Sequence, residues 1–326
     1  MASPLRAEQA SFFGGATFAR RAFRASLWTL LLTLAGAGVS FYAAHRVEVV
    51  IERQVEAVLG STQGLVVSGL RGQLDFALAA TKDARTSAAL RDFARACQSA
   101  EPTCNDGAFD EAVHAHASKG AMDFALFLDD TLAPRAYSRS TGASSSLSRE
   151  AVLDAATPAA LRTLAERAHE REVVLGAARV GQAVHLLFAT RLPQAPSDAQ
   201  ATRAGATLVF GWPTRHWKKI LESAKLGDTG ESYVVDARGV LLSESRFVTE
   251  LRERGLIDSG SSSSLSLGVR DPGTKDAPRA LGERARWPLT HAASEVVQGR
   301  QGVALTPYRD YRGVPVVGAY AFLPEL

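Results

Sequence analysis

The stretch Gly227–Phe247, GDTGESYVVDARGVLLSESRF, decides how this chain is read. Tyr233, Val234 and Val235 favour extended backbone, because β-branched and aromatic side chains fit a pleated surface. Val240, Leu241 and Leu242 form a second apolar run. Between the runs lies Asp236-Ala-Arg-Gly239. Asp bonds readily to nearby backbone, and Gly supplies the positive φ that tight turns need. Gly227 and Gly230 punctuate the entry. The pattern predicts a β-hairpin within an α+β domain.

A second segment closes the chain: Tyr308-Arg-Asp-Tyr-Arg-Gly-Val-Pro-Val-Val-Gly-Ala-Tyr320, followed by Leu323-Pro324. In this turn Asp310 and Arg312 flank Tyr311. The wording of the first stretch, TGExYxVDxxGxLLxxSR, resembles the membrane-proximal half of double Cache sensor domains, the extracytoplasmic ligand-binding modules of bacterial receptors. The second, YxDYRGxPVVGA, resembles that family's closing hairpin, and the two occur in the family's order. Gly230, Tyr233, Asp236, Gly239, Arg246, Asp310 and Gly313 carry the match, in what looks like a structural motif rather than a ligand-contacting one. The resemblance covers residues 45–326, by motif in the second half and by layout in the first. It implies an α+β fold with an N-terminal transmembrane helix, a long helical spine and two stacked PAS-like antiparallel sheets.

The N-terminus supplies the anchor. Ala25–Ala44, ASLWTLLLTLAGAGVSFYAA, carries no charge. About 20 apolar residues at 1.5 Å rise cross a hydrocarbon core of roughly 30 Å. Arg20, Arg21 and Arg24 precede it, with Arg6 upstream and Glu8 the only acid on that side. The positive-inside rule then puts residues 1–24 in the cytoplasm and residues 46–326 outside. Trp28, Phe41 and Tyr42 sit where interfacial aromatics do. A cleaved signal peptide is the rival reading. It needs a shorter apolar run and small residues where Phe41 and Tyr42 stand. A buried core helix is the third reading, and the flanking arginines oppose it.

The 326 residues are 46% hydrophobic and 22% charged, with a net charge of +3. This is ordinary globular composition. No basic stripe with interleaved aromatics speaks for nucleic acid. Two cysteines, Cys97 and Cys104, flank QSAEPT. Outside the cytoplasm a local disulfide is expected, with free thiols, a redox switch or a metal site as alternatives. A metal would have only His114 and His116 nearby, and residues two apart do not share a helix face.

Between anchor and hairpin the period is helical. Val47, Val50, Ile51, Val55, Val58 and Leu59 recur at helix spacing, and LDFALAATKDARTSAALRDFARAC resumes it, so residues 46–121 are expected to form the spine. Gly60, Gly64, Gly69 and Gly72 predict a kink or break. A short helix is expected at Asp110–Ser118. Met122–Leu128 reads as a strand, Asp129-Asp130 as a turn and Ala136–Arg139 as the return strand. Thr141–Ser148 is a loop, Ala151–Arg171 a helix, and Glu172–Val180, Gln182–Thr190 and Ala206–Trp212 are strands. Residues 122–212 therefore form a membrane-distal sheet with a helix, the layout of a PAS-like domain. Residues 213–326 form the proximal domain: a linking helix at Pro213–Lys225, the hairpin, helical turns at Leu251–Gly255 and Pro288–Gln298, and strands at Gly302–Pro307 and Gly313–Phe322. Ser259–Leu267 reads as a solvated, mobile serine loop. In the family this point is followed by a last strand, a second transmembrane helix and a cytoplasmic output domain.

No catalytic constellation stands out. GxSxG, HExxH and GxxxxGK[ST] are all missing from the sequence. Asp129-Asp130 is ordinary turn chemistry, and His216 sits on a charged, solvated helix. No catalytic residue, cofactor or metal is expected. A distal pocket needs an apolar wall with a few convergent polar groups, and an Arg suits carboxylates. The candidates are Phe124, Phe127, Tyr137, Arg139, Phe188, Arg191, Trp212 and Trp217. Phe124 and Phe127 are three apart, so on a regular strand only one faces the pocket. The resemblance implies a receptor input module in a bacterial inner membrane. Its partner is a small molecule such as an amino acid or organic acid, or a periplasmic protein. A parallel homodimer through Val47–Leu59 is expected, with a histidine kinase or other output domain beyond this chain. The alternatives are an anchored binding or scaffold protein without output, and an anchored extracytoplasmic enzyme.

Overall fold

The computed structural model describes residues 5–98, 104–140, 147–155, 158–168, 171–181, 183–193, 205–274 and 279–326. The side chains of residues 1–26, the arginine cluster among them, lie outside this set, as do the segment 99–103 and most of the loop expected at 141–148. The fold is mixed α+β, in two compact units, Met1–Val58 and Leu59–Leu326. Helix α1 (Leu5–Thr86) belongs to both.

In the first unit the stretch of α1 from Leu27 to Ala44 carries no charged residue. Trp28, Leu32, Phe41 and Tyr42 are exposed, and the stretch is long and apolar enough to cross a membrane, with a mean hydropathy of 1.6. Arg46 Nε donates to Tyr42 Oη at 2.8 Å. The helix begins at Leu5, well before the predicted span.

In the second unit α1 runs unbroken to Thr86, so no break forms at Gly60, Gly64, Gly69 or Gly72. Glycine is merely a poor helix former, and packing overrides a cost of about 1 kcal/mol per residue. Leu70, Leu74, Ala77, Ala80 and Ala84 give α1 its buried face. Helices α2 (Ala88–Gln98) and α3 (Asp106–Lys119) follow. Asn105 caps α3 by accepting from Ala108 N at 3.0 Å. The α3 helix starts four residues before the expected Asp110, because this cap sets its first turn.

Strands β1 (Phe124–Leu128), β2 (Pro134–Arg139), β3 (Val174–Val180), β4 (Ala183–Arg191) and β5 (Thr207–Pro213) make one antiparallel sheet in the order β2-β1-β5-β4-β3. Between β2 and β3 the described helical residues are α4 (Arg149–Ala155) and α5 (Pro158–Arg167), and residues 156–157 of the expected helix lie outside the described set. Central strands β1 and β5 are buried on both faces. On one face Phe127, Phe188, Phe210 and Trp212 join Leu74 of α1, Phe93 of α2 and Phe109 of α3 in one cluster. On the other, Phe124, Leu126, Tyr137 and Val209 join Val152 of α4 and Leu161 and Leu164 of α5. Each such side chain contributes about 1.5–3 kcal/mol on burial.

The remainder is less regular. A 3-10 turn (Thr214–Trp217) leads into α6 (Lys218–Ser223), so the expected linking helix is shorter and two-part. Then come α7 (Val248–Glu253), a 3-10 turn (Leu281–Arg286), α8 (His291–Val297) and the hairpin β6 (Gly302–Arg309)–β7 (Pro315–Tyr320). Leu241, Leu251, Val269, Trp287 and Tyr311 form a third core. Here the second half departs from the expected sheet. Val235 and Leu241 pair only as an isolated bridge, and β6–β7 is a two-stranded sheet. Backbone partners are divided, which prevents a continuous ladder. Leu242 N donates to Val234 O at 2.8 Å, but Leu241 N donates to Leu267 O at 3.0 Å and Val234 N to Ser243 Oγ at 3.0 Å.

The serine loop is not the solvated segment expected. Ser263 and Ser264 are buried, and Ser264 Oγ donates to Glu244 Oε2 at 2.8 Å. Ser262 Oγ and the backbone N–H groups of Ser263 and Ser264 also donate to that carboxylate. Burial alone would raise the Glu244 pKa, but these donors outweigh it and hold it below the ordinary glutamate value.

Candidate functional site

Two constellations carry the chemistry of this chain. The first joins the two motif segments at Tyr311. Its hydroxyl donates to Glu231 Oε2 and lies 2.8 Å from Ser245 Oγ, and its ring meets Tyr233 edge-on at 5.7 Å. Glu231 Oε1 accepts from Arg246 N at 2.8 Å, and Arg246 Nη1 donates to Gly230 O at 2.5 Å. Burial, reinforced by the Glu231 charge, raises the Tyr311 pKa. Arg312 lies 3.6 Å over the Phe247 ring and pairs with Asp310 and, at 3.4 Å, Glu250. Tyr233, Arg246 and Asp310, known from the sequence as motif positions, are thus brought together. Glu231 and Ser245 are part of the quoted motif but were not singled out from it.

Asp236 and Asp310 build matching turns. Asp236 Oδ1 accepts from Arg238 N and Val240 N, both at 2.9 Å. Asp310 Oδ1 accepts from Arg312 N at 2.8 Å and Val314 N at 2.9 Å. The fourth residues, Gly239 and Gly313, have φ of +75° and +80°, the left-handed region glycine enters without strain. Asp129 repeats the turn, accepting from Thr131 N and Ala133 N at 2.9 Å each. Its fourth residue is Leu132, at φ +64°.

The second constellation lies at one end of the five-stranded sheet. Asp123 is buried and takes both arms of Arg215, at 2.5 Å each. His185, fully buried on β4, places Nε2 3.0 Å from Asp123 Oδ2, and its ring lies 5.4 Å from Phe124. Burial would raise the Asp123 pKa, but the bonds from His185 and Arg215 prevail and lower it. The signal for this group was a histidine inside the apolar run of β4, since buried polar groups need partners. His216 is half-buried. It sits 5.0 Å from the Trp212 ring and 3.3 Å from Ala121 O, and burial lowers its pKa.

The eight ligand candidates do not line one wall. Phe127, Phe188, Trp212 and Trp217 are core residues on the α1–α3 side. Phe124 and Tyr137 lie on the opposite side, where strand alternation also places Arg139 and Arg191. Arg139 pairs in register with Phe124, whereas Arg191 pairs with Thr207, the partner of Leu128. The two arginines are therefore at opposite ends of β1, about 13 Å apart along the strand. Tyr137 Oη donates to Leu147 O at 2.7 Å, and burial pushes its pKa up to about 12. Phe124, Tyr137 and Arg139 lie on the side of the Asp123–His185–Arg215 group, Phe124 and Tyr137 as buried core residues and Arg139 exposed.

Cys97 and Cys104 form a disulfide. Among the described residues no group of three or more His, Cys, Asp and Glu side chains is placed to hold a metal. No protein-family model matches the chain. No curated protein matches it either.

Proposed function

We propose that this chain is the extracytoplasmic input module of a membrane receptor, of the double Cache kind. The observation that carries the reading is the meeting of the two motif segments at Tyr311, where Glu231 and Ser245 hold its hydroxyl. Motifs matched separately in the sequence act as one structural unit, as segments of one domain must. The order β2-β1-β5-β4-β3, with helices between β2 and β3, fits a PAS-like distal module. The β6–β7 hairpin and the Asp236 and Asp310 turns then belong to a second, proximal module.

On this reading the apolar part of α1 is the membrane anchor, with the N-terminus in the cytoplasm, and copies pair in parallel through the exposed Val47, Val50, Ile51 and Val58. A small carboxylate-bearing molecule binds on the Phe124–Tyr137–Arg139 side of the sheet. Binding shifts the distal module between two packings, and the change passes along α1.

The test is thermal unfolding of the full chain in detergent against amino acids, organic acids and polyamines. A ligand for the folded state adds about 2.7 kcal/mol at one hundred times its dissociation constant. A hit lost in Arg139→Ala supports the reading. A well-folded chain with no hit across the panel counts against direct small-molecule sensing and favours a protein partner.

A further inference from the structure

Two residues after Cys104, Asp106 opens helix α3. Its Oδ1 accepts from Tyr137 N at 2.9 Å, and the same carboxylate takes Arg149 Nη1 at 3.3 Å. One turn on, Asp110 Oδ1 accepts from Ser138 Oγ at 2.5 Å. Strand β2 is an edge strand of the sheet, and its outward N–H at Tyr137 is satisfied by this helix rather than by another strand. The disulfide ties the end of α2, which Phe93 holds in the core against Phe109 and Phe127, to the residue before the α3 cap. Neither cysteine is fully buried. The bond joins cysteines only seven apart in sequence, and a short loop constrains the unfolded chain weakly, so the core packing of both helices can outlast it.

We propose that the Cys97–Cys104 bond is a redox latch on the edge strand. A protein or small-molecule dithiol reduces it: a thiolate attacks one sulfur to give a mixed disulfide, the second thiol of the reductant resolves it, and Cys97 and Cys104 leave as two thiols while the reductant becomes a disulfide. Opening it frees the first turn of α3, Asp106 withdraws from Tyr137 N, and β2 loosens beside the Asp123–His185–Arg215 group. This inference stands whether or not the sheet takes a ligand.

The experiment is hydrogen exchange of the full chain in detergent, before and after dithiothreitol, comparing the β2 peptide with the central β4 and β5 peptides. The latch predicts at least tenfold faster exchange in β2 and the first turn of α3, with β4 and β5 unchanged. Asp106→Ala, which removes the acceptor of Tyr137 N with the disulfide intact, should reproduce the β2 change alone. Unchanged β2 exchange on reduction overturns the latch, and so does equal acceleration in every strand, which is the mark of a purely structural crosslink. Reducing the folded wild-type chain keeps the test valid even where Cys97→Ser/Cys104→Ser does not fold.

Discussion

Residues 106–213 and 226–320 use the same Asp-led turn, but they surround it differently. The first half places Asp129 at the end of a strand in a five-stranded sheet whose two faces are apolar. The second half places Asp236 and Asp310 among isolated bridges, and partners such as Tyr311, Glu231 and Ser245 hold the segments in register. Apolar burial is non-directional and spread over many residues. A polar network is directional, and its stability resides in a few atoms. The halves should therefore respond to different kinds of substitution.

Phe127→Ala should have the largest effect. The ring is fully buried, 5.1 Å from Phe93 and 6.0 Å from Phe109. Losing it should cost about 3–5 kcal/mol, read as a fall in the urea midpoint. A loss below 1 kcal/mol would mean that the first half is not held by this core. Tyr311→Phe tests the other half. It deletes one oxygen and no packing volume, yet leaves Glu231 Oε2 and Ser245 Oγ without their shared partner, at a cost of about 1–3 kcal/mol. Ser245→Ala in the Tyr311→Phe background should then cost less than it does alone, because the Tyr311 contact is already gone and only the bond from Phe247 N at 3.0 Å remains to be lost. Additive losses would break the comparison.

The difference also explains what the sequence could show. β1, β4 and β5 were legible because an apolar run bounded by turn residues needs only local information. The split of Phe124 from Phe127 followed from strand alternation. The order of the strands did not, since register depends on pairing across the sheet. The Asp123–His185–Arg215 group was hidden for the same reason: its members are 62 and 92 residues from Asp123. The serine loop was misread because composition describes solvation, whereas Glu244, outside the loop, decides its structure.

Acid is the next test. The Asp123 pKa is depressed from 3.8 in the folded state. Such a carboxylate contributes stability that is present above its unfolded pKa and lost as pH falls through the folded value. Stability of the first half should therefore decline below about pH 4. Arg215→Ala removes two of the bonds that oppose burial, so the folded pKa should rise towards the unfolded value and the acid-induced loss of stability should shrink. Because the Arg215 side chain is 47% exposed, solvent screens the pair and the effect should be smaller than that of Tyr311→Phe. An unchanged pH profile would assign the Asp123 shift to His185 alone.

The smallest predicted effect has the opposite sign. In the three turns, Gly239, Gly313 and Leu132 occupy the same left-handed position. The fourth residue donates to the carbonyl of the leading Asp in each case, at 2.9, 2.9 and 3.0 Å. A side chain in this region costs about 1–2 kcal/mol, and Leu132 sits there without a compensating turn glycine. Leu132→Gly should relieve that strain. Part of the gain is offset by the lost contacts of a half-buried leucine and by the freedom glycine adds to the unfolded chain, which leaves a net stabilisation of roughly 0.5 kcal/mol. A higher urea midpoint would show that the first half tolerates a strained turn because its sheet fixes the ends. A lower midpoint would mean that Leu132 packing matters more than its backbone, and that even here the first half relies on apolar contact where the second relies on turn geometry.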